Sequence, residues 1–479
     1  MVSKRSSTRE MTLPGRVALS ASPPVAVNAP LAHQIMFALA TPKKPALFFT
    51  VLGETPLKIL RYQQQFSFFD LDKINESIRF INLSEDVATG NLEQVLAHIS
   101  DEVDSSSPAL VFIDSFRSII EEVAQHTAGT MSLRLFIQQL GIQLSGSQTT
   151  AFLIGEFLSD SGSHPLLTVA DGLLSMEQSV YRNSMVRKIK ILKMRGQASL
   201  PGLHTFRITS AGIQVFPAAL LDTVVGDKPV VPKAPGSRTR LTMGVPGLDE
   251  MLGGGLPAGY SLLVAGPSGS GKTILATAFL SEGVRLGERG IIVAFEQTPS
   301  QSWVRTLDDM IRAGQIGLIN TRALDLSIDE IVQRLTDLII EMKATRIVVD
   351  SLTGFELAVA PTFRDDFRES LFRMFSVLSN LGMTVMVTSE LEDRYVDLRF
   401  SPYGAAFLTD AIIVQRYIEV ESRLQRVMAV VKVRASAHST DIRSYEITDD
   451  GIAIGDQVLR YEGILGGQPS LKKTTAKDK

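Results

Sequence analysis

One octapeptide constrains this chain more than any other stretch. Gly266, Pro267, Ser268, Gly269, Ser270, Gly271, Lys272 and Thr273 fit the pattern G-x-x-x-x-G-K-[ST]. Glycines let backbone N–H groups turn inward around a phosphate with no side chain in the way. Lys272 can reach the outer phosphates of a nucleotide as a point charge, and Thr273 can offer its hydroxyl to magnesium. Such a loop works only between a buried strand and the N-terminus of a helix, whose positive end faces the same anion. Both neighbours are legible. Tyr260–Ala265 is a short apolar run, and Ile274–Leu286 has an apolar helical face. The octapeptide therefore predicts a nucleotide site holding Mg²⁺ on an α/β sheet.

The bulk numbers narrow the class. A chain of 479 residues, 44% hydrophobic and 21% charged, suits two or three globular domains. A net charge of −3 supplies no basic field for general nucleic-acid binding, so DNA is not an expected partner. There is no cysteine, which excludes disulfides and thiolate chemistry. No apolar run is long enough to span a bilayer, and the basic N-terminus lacks the apolar core of a signal peptide. The expected location is cytoplasmic.

Taken in order, 1–12 is expected to be a flexible tail and 13–217 a first α/β domain. Ala46–Thr50, Ala109–Ser115 and Thr150–Ile154 read as buried parallel strands, with Arg187–Met194 and Leu203–Phe216 as late strands and Gly212 in a turn between short runs. Helical patterns cover Pro56–Phe66 and Asn91–Asp101. Residues 218–238 carry three prolines and read as a linker. A second α/β domain is expected over 239–462, with strands at Tyr260–Ala265, Gly290–Phe295, Arg346–Ser351, Met383–Ser389 and Ala411–Tyr417. Its expected helices are Lys272–Leu286, Pro299–Ala313, Ile328–Lys343 and Arg364–Leu381, and a hairpin of Arg426–Arg434 with Ser444–Ile454 closes it. Residues 463–479, with four lysines, read as a disordered basic tail.

The two domains share landmarks in one order. Ala46–Thr50 followed by Glu54-Thr-Pro matches Ile291–Phe295 followed by Gln297-Thr-Pro. Val111-Phe-Ile-Asp-Ser matches Ile347-Val-Val-Asp-Ser, and Lys193-Met-Arg matches Lys432-Val-Arg. This is the signature of an internal duplication. Asp350 ends an apolar strand, where a carboxylate beside the P-loop can hold Mg²⁺.

Together these segments resemble the KaiC-type branch of the RecA-like P-loop ATPases. The resemblance is carried by Gly244-Val-Pro-Gly-Leu-Asp249, Gly253-Gly-Gly-Leu-Pro257, the P-loop, Phe295-Glu-Gln-Thr-Pro299, Val349-Asp-Ser351 and Lys432-Val-Arg434. It covers nearly the whole chain. It implies two tandem RecA-like domains, each a mostly parallel twisted sheet flanked by helices, and a homohexameric ring with nucleotide between subunits. It further implies that Glu296 orients the attacking water, and that Lys432 and Arg434 reach the neighbouring subunit's outer phosphate as a finger. His438 stands near a further phosphate-proximal family position. The family's Glu pair is here Glu296-Gln297, so the neighbour of the base is neutral.

The first domain reads as a degenerate copy. Its P-loop should fall near Ser22–Ala29, where Val25 and Val27 replace glycines and Asn28 replaces the lysine. Gly53-Glu54 replaces the acidic pair. The expected role is scaffold or partner platform. The family's autophosphorylated Ser-Thr pair corresponds to Ala406 and Phe407, and Ser401, Tyr403 and Thr409 stand out of register.

The leading expectation is thus an ATP-hydrolysing ring with its chemistry in the second domain, tuned by protein regulators in a signalling role. The alternatives are a nucleotide-gated scaffold with negligible turnover, a serine/threonine autokinase, and a DNA recombinase relative. Steady-state hydrolysis and its loss in Glu296→Gln separate the first two readings; DNA-stimulated hydrolysis would revive the last.

Overall fold

The computed structural model describes residues 17–21, 28–51, 56–125, 131–155, 169–181, 184–217, 239–295, 305–320, 327–359, 367–391, 405–420, 422–459, 461–464 and 470–471. The chain divides into two compact units, with the change-over at Ala218–Ala219. The expected linker 218–238 and the tail 1–12 lie outside the described residues.

The first unit is built on β1 (Val17–Ala21), α1 (Asn28–Leu39), β2 (Ala46–Thr50), α2 (Pro56–Gln63), β3 (Ile78–Asn82), α3 (Ser84–Ala88), α4 (Leu92–Ser106), β4 (Leu110–Asp114), α5 (Phe116–Gln125), α6 (Leu133–Gly146) and β5 (Thr150–Gly155). Four further strands follow: β6 (Gly172–Tyr181), β7 (Ser184–Met194), β8 (His204–Thr209) and β9 (Gly212–Phe216). They form one nine-stranded sheet in the order β3-β2-β4-β5-β1-β6-β7-β8-β9. The strands from β3 to β6 are parallel, and β7 to β9 pair antiparallel.

The second unit opens with β10 (Arg240–Leu241), α7 (Pro246–Met251) and β11 (Leu256–Pro257). Its main sheet uses β12 (Ser261–Gly266), β13 (Gly290–Ala294), β14 (Ile316–Asn320), β15 (Arg346–Asp350), β16 (Thr384–Glu390), β17 (Ala411–Val420), β18 (Arg423–Val433), β19 (Ile442–Thr448) and β20 (Gly451–Gln457). Between them lie α8 (Lys272–Arg285), α9 (Arg305–Arg312), α10 (Ile328–Met342), α11 (Leu352–Ala358), α12 (Phe367–Asn380) and α13 (Ala405–Leu408). The strand order is β14-β13-β15-β16-β12-β17-β18-β19-β20. Strand for strand this is the order of the first unit, so the duplication read from three short landmarks extends to the whole topology.

Burial explains why these runs are strands. β12 sends Leu263 and Ala265 into the core on one face of the sheet, with α10 and α12, and Leu262 and Val264 into the core on the other, with α8. A parallel strand covered by helices on both faces must be apolar at every position, which is what makes it readable. Capping fixes several helix starts: the Asn91 side chain accepts from Glu93 N and Gln94 N, and Ser327 accepts from Glu330 N.

Two expectations are corrected. Ser444–Ile454 is not one arm of a hairpin but parts of β19 and β20, joined at a turn before Gly451, so the unit ends in an antiparallel meander. Leu203–Phe216, by contrast, is two strands that turn just before Gly212, where the sequence places the turn, and the φ of 103° at Gly212 suits it. The tail from 463 is not wholly unstructured: Ser470–Leu471 pairs antiparallel with Tyr461–Glu462. Ile464, only 3% exposed, anchors this segment against Ile418, Val420 and Val427.

Candidate functional site

The octapeptide joins β12 to α8, and the helix begins at Lys272. Gly269 and Gly271 have φ of 76° and 92°, a region that disfavours residues with a Cβ. Space gives a second reason for glycine. A Cβ on Gly266 would lie 2.7 Å from Ser270 Oγ, and one on Gly271 would lie 3.0 Å from Ile447 Cδ1. The loop is braced by the antiparallel strands beside it. Ser270 Oγ donates to Gln415 Oε1 at 3.0 Å, and the Tyr445 hydroxyl donates to Ser270 O at 2.6 Å. Both braces are buried. Lys272 Nζ lies across the loop and donates to Gly266 O and Pro267 O at 2.9 and 2.8 Å, so its charge is held at the cradle.

Thr273 Oγ1 donates to Asp350 Oδ2 at 2.8 Å. The pair expected to hold the metal is therefore together, at the start of α8 and the end of β15. Asp350 is 7% exposed, and its other carboxylate oxygen accepts from Thr388 Oγ1 on β16. Sequence reasoning missed Thr388, Gln415 and Tyr445. Thr388 had a signal, a polar residue ending an apolar strand, as Asp350 does. The other two sit within strands and become visible only through packing. Hard oxygen donors on a buried strand end beside a glycine cradle fit a magnesium nucleotide. Glu296 and Gln297 directly follow Phe295, the last described residue after β13, and lie outside the described residues.

Lys432 and Arg434 stand elsewhere. Lys432 pairs with Ile412 and Val433 with Ala411, at the start of β17. β17 runs parallel to β12 with Ala411 beside Leu262. The basic pair is thus set back from Gly266 by about 13 Å of strand, four residues at about 3.3 Å each. Lys432 Nζ donates to Thr409 O at 2.7 Å, and Arg434 Nη1 pairs with Asp410 at 3.2 Å. Burial, then the neighbouring Arg434, hold the Lys432 ammonium below its ordinary pKa, against the pull of Asp410. His438 lies nearby, with Nδ1 3.4 Å from Ser436 O.

The first unit repeats the second arrangement and not the first. Lys193 Nζ donates to Ala170 O at 2.6 Å, and Arg195 pairs with Asp171 at 3.2 Å. Asn28 is the first residue of α1, where Lys272 begins α8. Asp114 ends β4 as Asp350 ends β15, but Ala29 stands in the place of Thr273, and Ile154, beside Asp114 in register, in the place of Thr388. Both hydroxyl partners of the carboxylate are gone. Ser22–Val27 and Gly53-Glu54 lie outside the described residues.

Comparison with known proteins agrees with this geometry. A family model described as the KaiC ATPase matches residues 33–219 and again 241–458. A circadian clock oscillator protein KaiC of Picosynechococcus sp. is 27% identical over 443 residues, spanning 89% of this chain and 83% of that protein. Circadian clock oscillator protein KaiC 1 of Synechocystis sp. is 28% identical, spanning 89% and 82%. No described helix is long and apolar enough to cross a membrane. With both repeats matched and the sheet order duplicated, this chain belongs to the KaiC ATPase family, as a tandem pair of RecA-like domains.

Proposed function

We propose that the second unit binds and hydrolyses ATP with Mg²⁺, that the first is a scaffold without a working nucleotide site, and that subunits assemble as a ring, the family implying a hexamer. The observation that carries this reading is the Thr273–Asp350 contact at 2.8 Å beneath a braced glycine loop. In this reading Gly266 to Gly271 turn their N–H groups to the phosphates, Lys272 supplies charge to the outer phosphates, and Thr273 and Asp350 hold the metal. Bound magnesium neutralises charge that builds on the phosphate oxygens. Glu296 orients water.

Lys432 and Arg434 sit at the far end of the strands from their own P-loop, so in this reading they serve a neighbouring subunit. Arg434 is half-exposed and presents a planar donor fork. Assembly then completes the site, and a closed symmetric oligomer satisfies every subunit alike. The autokinase reading is not favoured. Phe407 is 76% exposed but has no hydroxyl, and Thr409 is fully buried.

The test is ATP turnover by wild type, Lys272→Ala and Glu296→Gln, with oligomer mass recorded with and without ATP–Mg²⁺. The expected result is turnover that falls about 100-fold or more in both variants, since each removes an element on which transition-state charge or water position depends. Assembly on ATP with no turnover above the Glu296→Gln background would instead make the protein a nucleotide-controlled platform.

A further inference from the structure

The first unit has a cavity of about 330 Å³ at the ends of β2 and β4, by the start of α1. It is lined by Ala29 and Asp114, the positions that hold the metal pair in the other unit. The first unit has rebuilt the space rather than filled it. Where α8 carries Thr277 and β13 carries Ile292, α1 and β2 carry His33 and Phe48. Their rings stack with centroids 4.7 Å apart and planes 16° apart. His33 Nδ1 lies 2.6 Å from Gln63 Nε2. His33 and Gln63 are 3% and 5% exposed and both line the cavity. His33 Nε2 and Gln63 Oε1 have no hydrogen-bond partner among the described residues.

We propose that this cavity is a binding site for an uncharged planar ring carrying an adjacent N–H and C=O, such as a free nucleobase or a cyclic amide.

Three observations support that class. First, a neutral imidazole bonded to an amide leaves at least one donor and one acceptor, whichever way the amide is turned. A lactam edge satisfies both, and two buried polar atoms left unpaired are costly. Burial favours the neutral ring, with a pKa lowered to about 4. Second, Phe48, Ile59, Tyr62 and Phe66 give aromatic and apolar walls, and the volume suits a small ring. Third, among the described lining residues the one carboxylate is Asp114, and none is a lysine or arginine. A phosphate placed against this carboxylate would meet like charge. The degenerate half would thus have exchanged a triphosphate cradle for a base-sized pocket. This inference does not depend on hydrolysis by the second unit.

The test uses the full chain and a panel of hypoxanthine, uracil and nicotinamide, with inosine monophosphate as the phosphate-bearing control. Binding is read by saturation-transfer NMR and calorimetry in wild type, Lys272→Ala, Gln63→Leu and Tyr62→Ala. Tyr62 is 53% exposed, so its truncation removes a wall without emptying the core. At least one ring compound is expected to bind wild type and Lys272→Ala equally, and at least tenfold more weakly to both Gln63→Leu and Tyr62→Ala. The monophosphate is expected to bind Lys272→Ala no more tightly than hypoxanthine does. The proposal is overturned if no ring compound binds wild type, if binding follows Lys272 rather than Gln63 and Tyr62, or if the monophosphate is preferred in Lys272→Ala.

Discussion

The Tyr445 hydroxyl donates to the carbonyl of Ser270 at 2.6 Å, tying β19 to the middle of the P-loop. Burial raises the Tyr445 pKa, so the hydroxyl remains a donor throughout the neutral range. The loop's shape therefore depends on a strand two positions beyond β17 in the sheet. Tyr445→Phe removes one oxygen and leaves the ring. It is expected to raise KM for ATP about fivefold, the worth of one buried hydrogen bond at about 1 kcal/mol. Steady-state kinetics of the purified variant decides it; a KM within twofold of wild type would show that Gln415 and the packing of Ile447 hold the loop alone.

The position of Lys432 and Arg434 makes a sharper prediction. If they act across a subunit boundary, Lys272→Ala and Arg434→Ala damage different halves of one composite site. Each variant alone should be inactive. Mixed in equal amounts under conditions that allow subunit exchange, they should recover about a quarter of wild-type turnover, since one boundary in four pairs an intact P-loop with an intact finger in a symmetric ring. Failure of the mixture to exceed either parent, with exchange confirmed by mass, would put the two residues out of the reaction.

How much of this was legible in the sequence follows from burial. β12, β13 and β15 are apolar at nearly every position because both faces are covered, and each was readable as a run. The edge strands β3 and β14 were missed. Ile78–Asn82 buries one residue fully and exposes two, so its composition resembles a loop. β6, with Ser175, Glu177 and Gln178 among its apolar residues, was missed for the same reason. At the site, Lys272, Thr273 and Asp350 were identifiable because their chemistry is tied to a fixed spacing or strand end. Gln415 and Tyr445 were not, because their roles are set by which strand lies beside the loop.

Arg346 tests a different part of the fold. Its side chain is 1% exposed. Nε pairs with Glu288 at 2.6 Å, Nη1 donates to Thr242 O and Phe279 O at 2.7 and 3.0 Å, and the guanidinium lies 4.7 Å from the Phe279 ring centroid. Gly283 is tied to it, because a Cβ there would stand 2.7 Å from Arg346 Cδ. The first unit places Leu110 at this strand position, so the fold itself does not require arginine. Removing the arginine alone strands two carbonyls and a carboxylate. Arg346→Ala is expected to destabilise the second unit by about 3–5 kcal/mol. Trp303, the chain's single tryptophan, belongs to the second half and offers a fluorescence probe for denaturant unfolding. A loss below about 1 kcal/mol would mean that water replaces the guanidinium at little cost.

The last prediction concerns acid. Burial lowers the His33 pKa from 6.5 to about 4, despite an opposing backbone contact with Ala29. The folded state therefore refuses a proton that the unfolded chain accepts near 6.5. Between those values the unfolded state binds more protons, so stability falls as pH drops through the window from about 6.5 to about 4. Below the folded pKa both states are protonated and the loss stops growing. The full loss is on the order of 3 kcal/mol, at about 1.4 kcal/mol for every tenfold difference in proton affinity between the two states. His33→Phe keeps a ring against Phe48 and removes the titration. Hydrogen exchange of peptides covering β2 and β4, followed from pH 7.5 to 4.5 and corrected for intrinsic rates, should show wild type losing protection relative to His33→Phe as the pH falls. All other carboxylates and histidines contribute to both proteins, so the difference isolates His33. Parallel profiles would mean that the ring is charged in the folded state, with its proton held by Gln63 or by water.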